Sequence, residues 1–314
     1  MLFCGVTSDL ALEAHEALRA QTGQEIPGIA VEKRDFEYGK VTYVKILNDQ
    51  GAQQMGKPPG NYITIEAPII RDDSRYAHPE VIKEVARSLG SLLRVPQDAT
   101  VLVVGLGNWN ATPDALGPRV IDYTLVTRHI FKYAPQAVQP GMRQVSAIAP
   151  GVLGITGIET DEIVKGIVGK INPSLIITID ALAAGAVERI ATSIQICDTG
   201  IRPGSGMGGK SGGITRETMG VPVISIGVPT VVHAALIAQN SINKLYQAYN
   251  KPVPPRETLE PIVKDLLEPF GGNLMVTPKE IDILIQNCAK IIAAAITDAL
   301  HPEVNPEHFG ALLQ

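Results

Sequence analysis

Runs of β-favouring residues recur along this chain with helical patterns between them, and that alternation restricts the fold more than any other feature. The runs are "GKVTYVKIL", "NYITIEAPII", "TVLVVGLGN", "RQVSAIAPG", "SLIITIDAL", "TSIQICD" and "VPVISIGVP". The helical patterns are "PEVIKEVARSLGSLLR", "ALGPRVIDYTLVTRHIF", "TDEIVKGIVGKI", with Thr160 as its cap, and "TVVHAALIAQNSINKLYQAY". From about Ala99 onward this order predicts an α/β sheet with helices on both faces. "NKPVPPRETLEP" reads as a proline-rich connector, and "KEIDILIQNCAKIIAAAITDALH" as one long helix whose alanines face a packed neighbour. With no internal repeat and no second core, the expectation is a single α/β domain carrying an N-terminal β elaboration.

The bulk numbers agree with a globular protein. The chain has 314 residues of which 45% are hydrophobic, enough for a sizeable core. A formal net charge of −5 supplies no field for nucleic acid or an anionic membrane, so neither is expected as a partner. No apolar run is expected to reach the roughly 18 residues of a membrane span, and "MLFCGVTSDLALEAHE" lacks a basic start and a long apolar stretch, so export is not expected and the localisation read is cytoplasmic. Cys4, Cys197 and Cys288 are odd in number and far apart, which argues against a disulfide framework or a CxxC metal site.

Two glycine-rich stretches invite nucleotide readings. In "VLVVGLGNWNATPDALGP" Gly105 and Gly107 fit a dinucleotide turn, but Asn110 stands at the third glycine position. Asp114 then brings a carboxylate to where a bound phosphate needs donors. "GSGMGGKS", Gly204 to Ser211, satisfies the phosphate-loop pattern letter for letter, with Lys210 and Ser211 in place. However, "TGIRP" separates it from the preceding strand, and Gly212 and Gly213 follow at once, which disfavours the helix such a loop requires.

Open α/β sheets carry their chemistry at the carboxyl ends of parallel strands, and two acidic residues fall there. Asp114 follows "VLVVGLGN" and Asp180 ends "LIITID", so both enter one crevice if the two strands are central and parallel. Either could instead cap the helix expected after it, "ALGPRV" or "ALAAGAVERI". A close carboxyl pair shares a proton: the ionised partner takes a proton from water while the protonated one donates to a carbonyl oxygen or leaving amine. There is no GxSxG, and His15, His78, His129, His233, His301 and His308 are scattered. A divalent ion bound by Asp114, Asp180 and a histidine remains a second possibility, although no HExxH or closely spaced ligand set stands in the chain.

"VVGLGNWNATPDALGPRV", "TRHIF", "SAIAPGVLGITGIETDEIVKGIV", "IDALAAGAVERI", "IQICDTGIRPGSGMGGK", "GVPVISIGVPTVV" and "NLMVTPKEID" together resemble the germination protease of endospore-forming bacteria, over nearly the whole chain. The resemblance implies a hydrolase, an endopeptidase of aspartic type that starts the degradation of small acid-soluble spore proteins at germination, in the cytoplasm of the spore core. It implies Asp114 and Asp180 as the catalytic pair, no cofactor and no resident metal. The fold implied is a three-layer α/β/α architecture with a mostly parallel central sheet, phosphorylase/hydrolase-like and shared with hydrogenase maturation proteases. Those relatives use carboxylates around nickel, so a metal-dependent maturation-type endopeptidase is the alternative, and an inactive binding relative is another. The family is made as a homotetrameric zymogen that removes its own N-terminal segment, cutting after an acidic residue and before a hydrophobic residue followed by alanine. "TSDLALE" supplies Asp9, Leu10 and Ala11 in that order, so cleavage is expected between Asp9 and Leu10, dividing residues 1–9 as a short pro-segment from a peptidase domain of residues 10–314. The chain departs from the family at Val6, where an acidic residue is favoured, and in an abbreviated stretch from about Asn250 to Glu268.

Overall fold

A computed structural model describes residues 3–6, 8–72, 78–202 and 212–304. Its nine strands are β1 (Ile29–Phe36), β2 (Gly39–Ile46), β3 (Gly60–Glu66), β4 (Thr100–Gly105), β5 (Gln144–Ile148), β6 (Leu175–Ala184), β7 (Ser193–Cys197), β8 (Val223–His233) and β9 (Met275–Val276). They form one sheet in the order β1-β2-β3-β7-β8-β6-β4-β5, with β9 on β8. The four strands β8, β6, β4 and β5 are mutually parallel and supply the α/β core. β1, β2, β3 and β7 add antiparallel pairings that extend this core on one side, and the first three of them are the N-terminal elaboration.

Both faces of the parallel strands are covered, which gives three layers. On one face Val101, Val103, Ile177, Ile179, Ile224 and Ile226 join a core with the helices His78–Leu92, Leu116–Tyr123 and Ile281–Leu300. On the other, Leu102, Val104, Ile176 and Val223 pack with Val164 and Val168 of the helix Thr160–Ile171. Burial on both sides is why these strands read as continuous apolar runs instead of alternating ones.

All seven β-favouring runs become strands, but the helical patterns are revised in several places. β6 continues four residues past Asp180, to Ala184, because β8 runs beside it from Ile176↔Val223 to Ala184↔Val232. The alanine-rich stretch after Asp180 is therefore strand, and tertiary pairing overrides its helix propensity. "TVVH" is likewise the end of β8, and the helix there is Ala234–Ala248. "ALGPRVIDYTLVTRHIF" breaks into Leu116–Tyr123 and Arg128–Tyr133, since Thr127 is held by β5: its hydroxyl donates to Arg143 O at 2.5 Å and accepts from Val145 N at 2.9 Å. Thr160 is the first helical residue and not a side-chain cap, its hydroxyl donating to Gly151 O at 3.2 Å. The proline-rich connector ends at Pro255, after which Arg256–Leu267 is helical. β1, with charged residues on both faces, and the helix Ala11–Thr22 carry no pattern that the sequence reading singled out.

The helix Ile281–Leu300 does meet the length and composition of a membrane span, contrary to the reading of the sequence. Ile285, Ala289, Ile292, Ala293 and Ile296 are buried, so its apolar surface is used by the core of this fold. Arg143 closes its far end, donating from Nη1 to Leu300 O at 2.6 Å. His301 Nδ1 accepts the Arg143 backbone N–H at 3.2 Å, which fixes the ring as a neutral acceptor.

The turn after β4 explains its glycines without a phosphate. Gly107 has φ +115°, and a Cβ there would lie 2.0 Å from the carbonyl oxygen of Asp114. A Cβ on Gly105 would come within 2.3 Å of Gly117 O. The chain leaving β4 thus folds back and rests its own backbone on the turn, with Asn108 N donating to Asp114 O at 3.1 Å. The lysine-containing loop Gly204 to Ser211 lies outside the described residues.

Two outcomes follow from these contacts. Gly107→Ala introduces both backbone strain and an overlap, and is expected to cost roughly 2–4 kcal/mol, read as a lower melting temperature in calorimetry. Burial and the neighbouring Arg143 push the His301 imidazole down to about 4 from an ordinary 6.5. A group held neutral in the fold stabilises it above the unfolded value and loses that contribution as pH falls towards the folded one, so stability should drop by up to about 3 kcal/mol between pH 6.5 and 4. Urea melts across that range should show a shallower slope for His301→Gln.

Candidate active site

Asp180 sits in the interior of β6, paired with Gly227 of β8, which in turn pairs with Gln195 of β7. Asp180, Gly227 and Gln195 therefore form one row across three adjacent strands. Period-two alternation sends Ile177 and Ile179 into the larger core, and Thr178 and Asp180 to the opposite face. The row's two polar side chains flank Gly227, and Leu182 leans over that glycine: a Cβ on Gly227 would meet Leu182 Cδ1 at 2.4 Å.

Asp180 is 9% exposed, and its Oδ1 accepts the N–H of Ala181 at 2.9 Å. Burial raises its proton affinity well above the ordinary carboxylate range. The negative charges of Asp114 and Asp9 push the same way, while the Ala181 N–H opposes them. Asp114 stands on a turn, Thr112–Asp114, that packs on β6 and β8. Burial raises its carboxyl as well, with a backbone N–H from Asn108 acting against it. Neither aspartate caps a helix, since Asp180 is mid-strand and Leu116–Tyr123 begins at Ala115 without a side-chain cap. Of the two carboxyls that the sequence singled out, the more buried, Asp180, thus feels the charge of the other.

A third carboxylate, Asp9, acts on Asp180 from the N-terminal segment. The turn Phe3–Gly5 seats Phe3 in the main core, against the helices Ala234–Ala248 and Arg256–Leu267, and Cys4 N donates to Glu260 Oε1 at 2.9 Å. Asp9 Oδ2 accepts from Ala183 N at 2.9 Å, three residues beyond Asp180. The Asp9 carbonyl oxygen accepts from Lys57 Nζ at 2.8 Å and from Gln195 Nε2 at 3.2 Å. Leu10 is fully buried, and Ala11 N donates to Gln195 Oε1 at 2.7 Å. Burial raises the Asp9 carboxyl against the lowering effects of the Ala183 N–H and Lys57.

The helix Ala11–Thr22 fixes the far side of this segment. Its buried Glu13 accepts from Gly185 N at 2.7 Å and pairs with Arg189 at 3.0 Å, and Arg189 also reaches Glu16 at 2.7 Å and Glu66 at 3.4 Å. The Ser8 hydroxyl bonds Glu13 and accepts from Leu10 N at 3.1 Å. Lys57 comes from the loop after the helix Asp49–Met55, and burial lowers its pKa against the pull of Asp9, Cys197 and Glu13.

Sequence reasoning missed Lys57, Gln195, Glu13 and Arg189. Gln195 carried one legible signal, an amide at an inward position of "TSIQICD"; Lys57, between a glycine and two prolines, carried none. His233 caps the helix after β8, its Nδ1 accepting from Ala235 N at 3.1 Å. Among the described residues no three His, Cys, Asp or Glu side chains are grouped to hold one ion. All three cysteines are free thiols.

Comparison with known proteins gives the setting of this crevice. Residues 6–261 and 255–312 match the family described as germination protease. The germination protease of Caldanaerobacter subterraneus subsp. tengcongensis is 46% identical over 100% of this chain and 99% of its own length. That of a Clostridium perfringens strain is 46% identical over 98% and 99%, and that of a Bacillus cereus strain 41% identical over 98% and 96%. A solved structure of the nickel-iron hydrogenase maturation protease HycI from Thermococcus kodakarensis KOD1 is similar with a TM-score of 0.34 and 16% identity, covering 68% of this chain and 98% of that one. On the evidence of its relatives along their whole length, the chain belongs to the germination protease family.

Proposed function

We propose that this spore protease hydrolyses peptide bonds with Asp114 and Asp180 as a carboxyl pair, and that one of its substrates is its own Asp9–Leu10 bond. The observation that carries the reading is the raised proton affinity of two aspartates, one on the turn after β4 and one on β6 just past its last pairing with β4, the more buried of them sensing the other's charge. Asp180, pushed the higher, keeps its proton; Asp114 is the ionised partner. Asp114 takes a proton from water as the water oxygen bonds to the carbonyl carbon, giving a tetrahedral oxyanion. The C–N bond then breaks, the nitrogen leaves with the proton from Asp180, and the proton on Asp114 passes to Asp180 to restore the pair.

The family likeness supports small acid-soluble spore proteins as the external substrates, cut after an acidic and before a hydrophobic residue, and a homotetrameric zymogen in the spore-core cytoplasm. Self-cleavage is supported by the hydrogen bond from Ala183, three residues past Asp180, to the Asp9 carboxylate and by the reach of the Asp9 charge to Asp180.

Digestion of a purified small acid-soluble spore protein tests the pair. Asp114→Asn and Asp180→Asn should each lower kcat by about a thousandfold or more while melting normally. Retained activity in a folded Asp180→Asn variant would remove this mechanism. The rate should also fall as rising pH strips the proton that burial holds on Asp180, and again at low pH once Asp114 is protonated, so kcat against pH is expected to be bell-shaped. Mass spectrometry of the processed chain should find a new N-terminus at Leu10; any other terminus contradicts the self-cleavage reading.

A further inference from the structure

We propose that Lys57 and Gln195 are further catalytic residues, a donor pair that holds the carbonyl oxygen of the bond being cut and stabilises the negative charge it acquires. The proposal rests on the reading that Asp9–Leu10 is a substrate bond.

Both donors converge on a single oxygen. Lys57 Nζ stands 2.8 Å from the Asp9 carbonyl oxygen and Gln195 Nε2 stands 3.2 Å from it. A peptide oxygen has two lone pairs, so this pair of donors occupies both. As water adds to the carbon, that oxygen goes from a partial to a full negative charge, and donors already aimed at it gain strength without having to move. An ammonium in a partly buried setting gains more than one in water, because the field of its charge is less screened. Lys57 is such a group, drawn in by burial with acidic neighbours around it.

Gln195 performs a second task with the other end of its amide. Its Oε1 accepts the N–H of Ala11 at 2.7 Å while its Nε2 donates to the Asp9 oxygen, so one side chain brackets the bond between residues 9 and 10. Gln195 is buried in β7, in the same cross-strand row as Asp180. The Asp9 side chain is engaged separately, by the Ala183 N–H. An acidic residue ahead of the cut is therefore met by main-chain N–H, which leaves the Lys57 ammonium for the main-chain oxygen. This arrangement divides the labour: Asp114 and Asp180 move protons, and Lys57 with Gln195 hold charge.

The test follows self-cleavage of the full chain, a unimolecular event free of any second binding step. Intact mass measured over time gives the rate of scission at Asp9–Leu10 for the parent chain, Lys57→Met, Lys57→Arg and Gln195→Leu. In parallel, hydrogen exchange at the Ala11 and Ala183 amides reports whether the segment stays docked. Loss of an oxyanion donor typically slows a reaction about a hundredfold to a thousandfold. Lys57→Met should do so with Ala183 still protected, Lys57→Arg should recover part of the rate, and Gln195→Leu should also be slow. Equal rates in the parent and Lys57→Met would overturn the proposal while leaving self-cleavage intact. A slow Lys57→Met chain whose Ala183 amide has become exposed would also overturn it, because Lys57 would then only dock the segment. If the parent chain itself never cuts at Asp9–Leu10, the underlying reading fails and the donor pair falls with it.

Discussion

A carboxyl group inside a parallel sheet is costly to ionise, and the local chemistry of this fold is organised around that cost. Asp180 pairs with Gly227 of β8, one residue past the last β4 pairing at Ile179, and its carboxyl accepts the N–H of its own neighbour Ala181. Among the described residues the groups that act on its charge are two further carboxylates and that amide, with no cation. Burial without a counter-charge among the described residues raises the proton affinity of this carboxyl, which is the property the proposed acid role draws on. Had an arginine faced Asp180, the pair would be a structural ion pair and the proton would be gone.

The same demand explains the backbone around β4. Asp114 must come back over the end of a strand to face β6, and the chain achieves this by laying backbone directly on backbone at Gly105 and Gly107. The glycine pattern that resembles a nucleotide turn thus serves a different end: it removes the side chains that would hold the acidic turn away from the sheet. A nucleotide turn leaves its amides open to phosphate, whereas here Asn108 N is already given to Asp114 O.

Much of this was legible in the sequence, for identifiable reasons. Strands buried on both faces announce themselves as apolar runs, so the parallel core and the turn that carries Asp114 after β4 could be placed from the pattern along the chain, whereas Asp180, read as a strand end, lies within β6. What escaped was settled by distant contacts. The continuation of β6 through an alanine-rich stretch depends on β8 running beside it, and the break before Arg128 depends on Thr127 being claimed by β5. Lys57 and Gln195 are separated by well over a hundred positions, and nothing local marks them as partners of one carbonyl oxygen.

The seating of Phe3 carries a consequence for what happens after a cut at residue 9. The leading segment is gripped at both ends, by the aromatic ring sunk in the core against the helix Arg256–Leu267 and by the Asp9 side chain on Ala183. Severing the covalent link leaves both grips in place, so scission and vacating of the crevice become separate events with separate rates. A freshly nicked molecule would then be chemically mature yet still plugged by its own fragment, and the delay before it accepts foreign chains would be governed by how fast a phenyl ring leaves a hydrocarbon pocket.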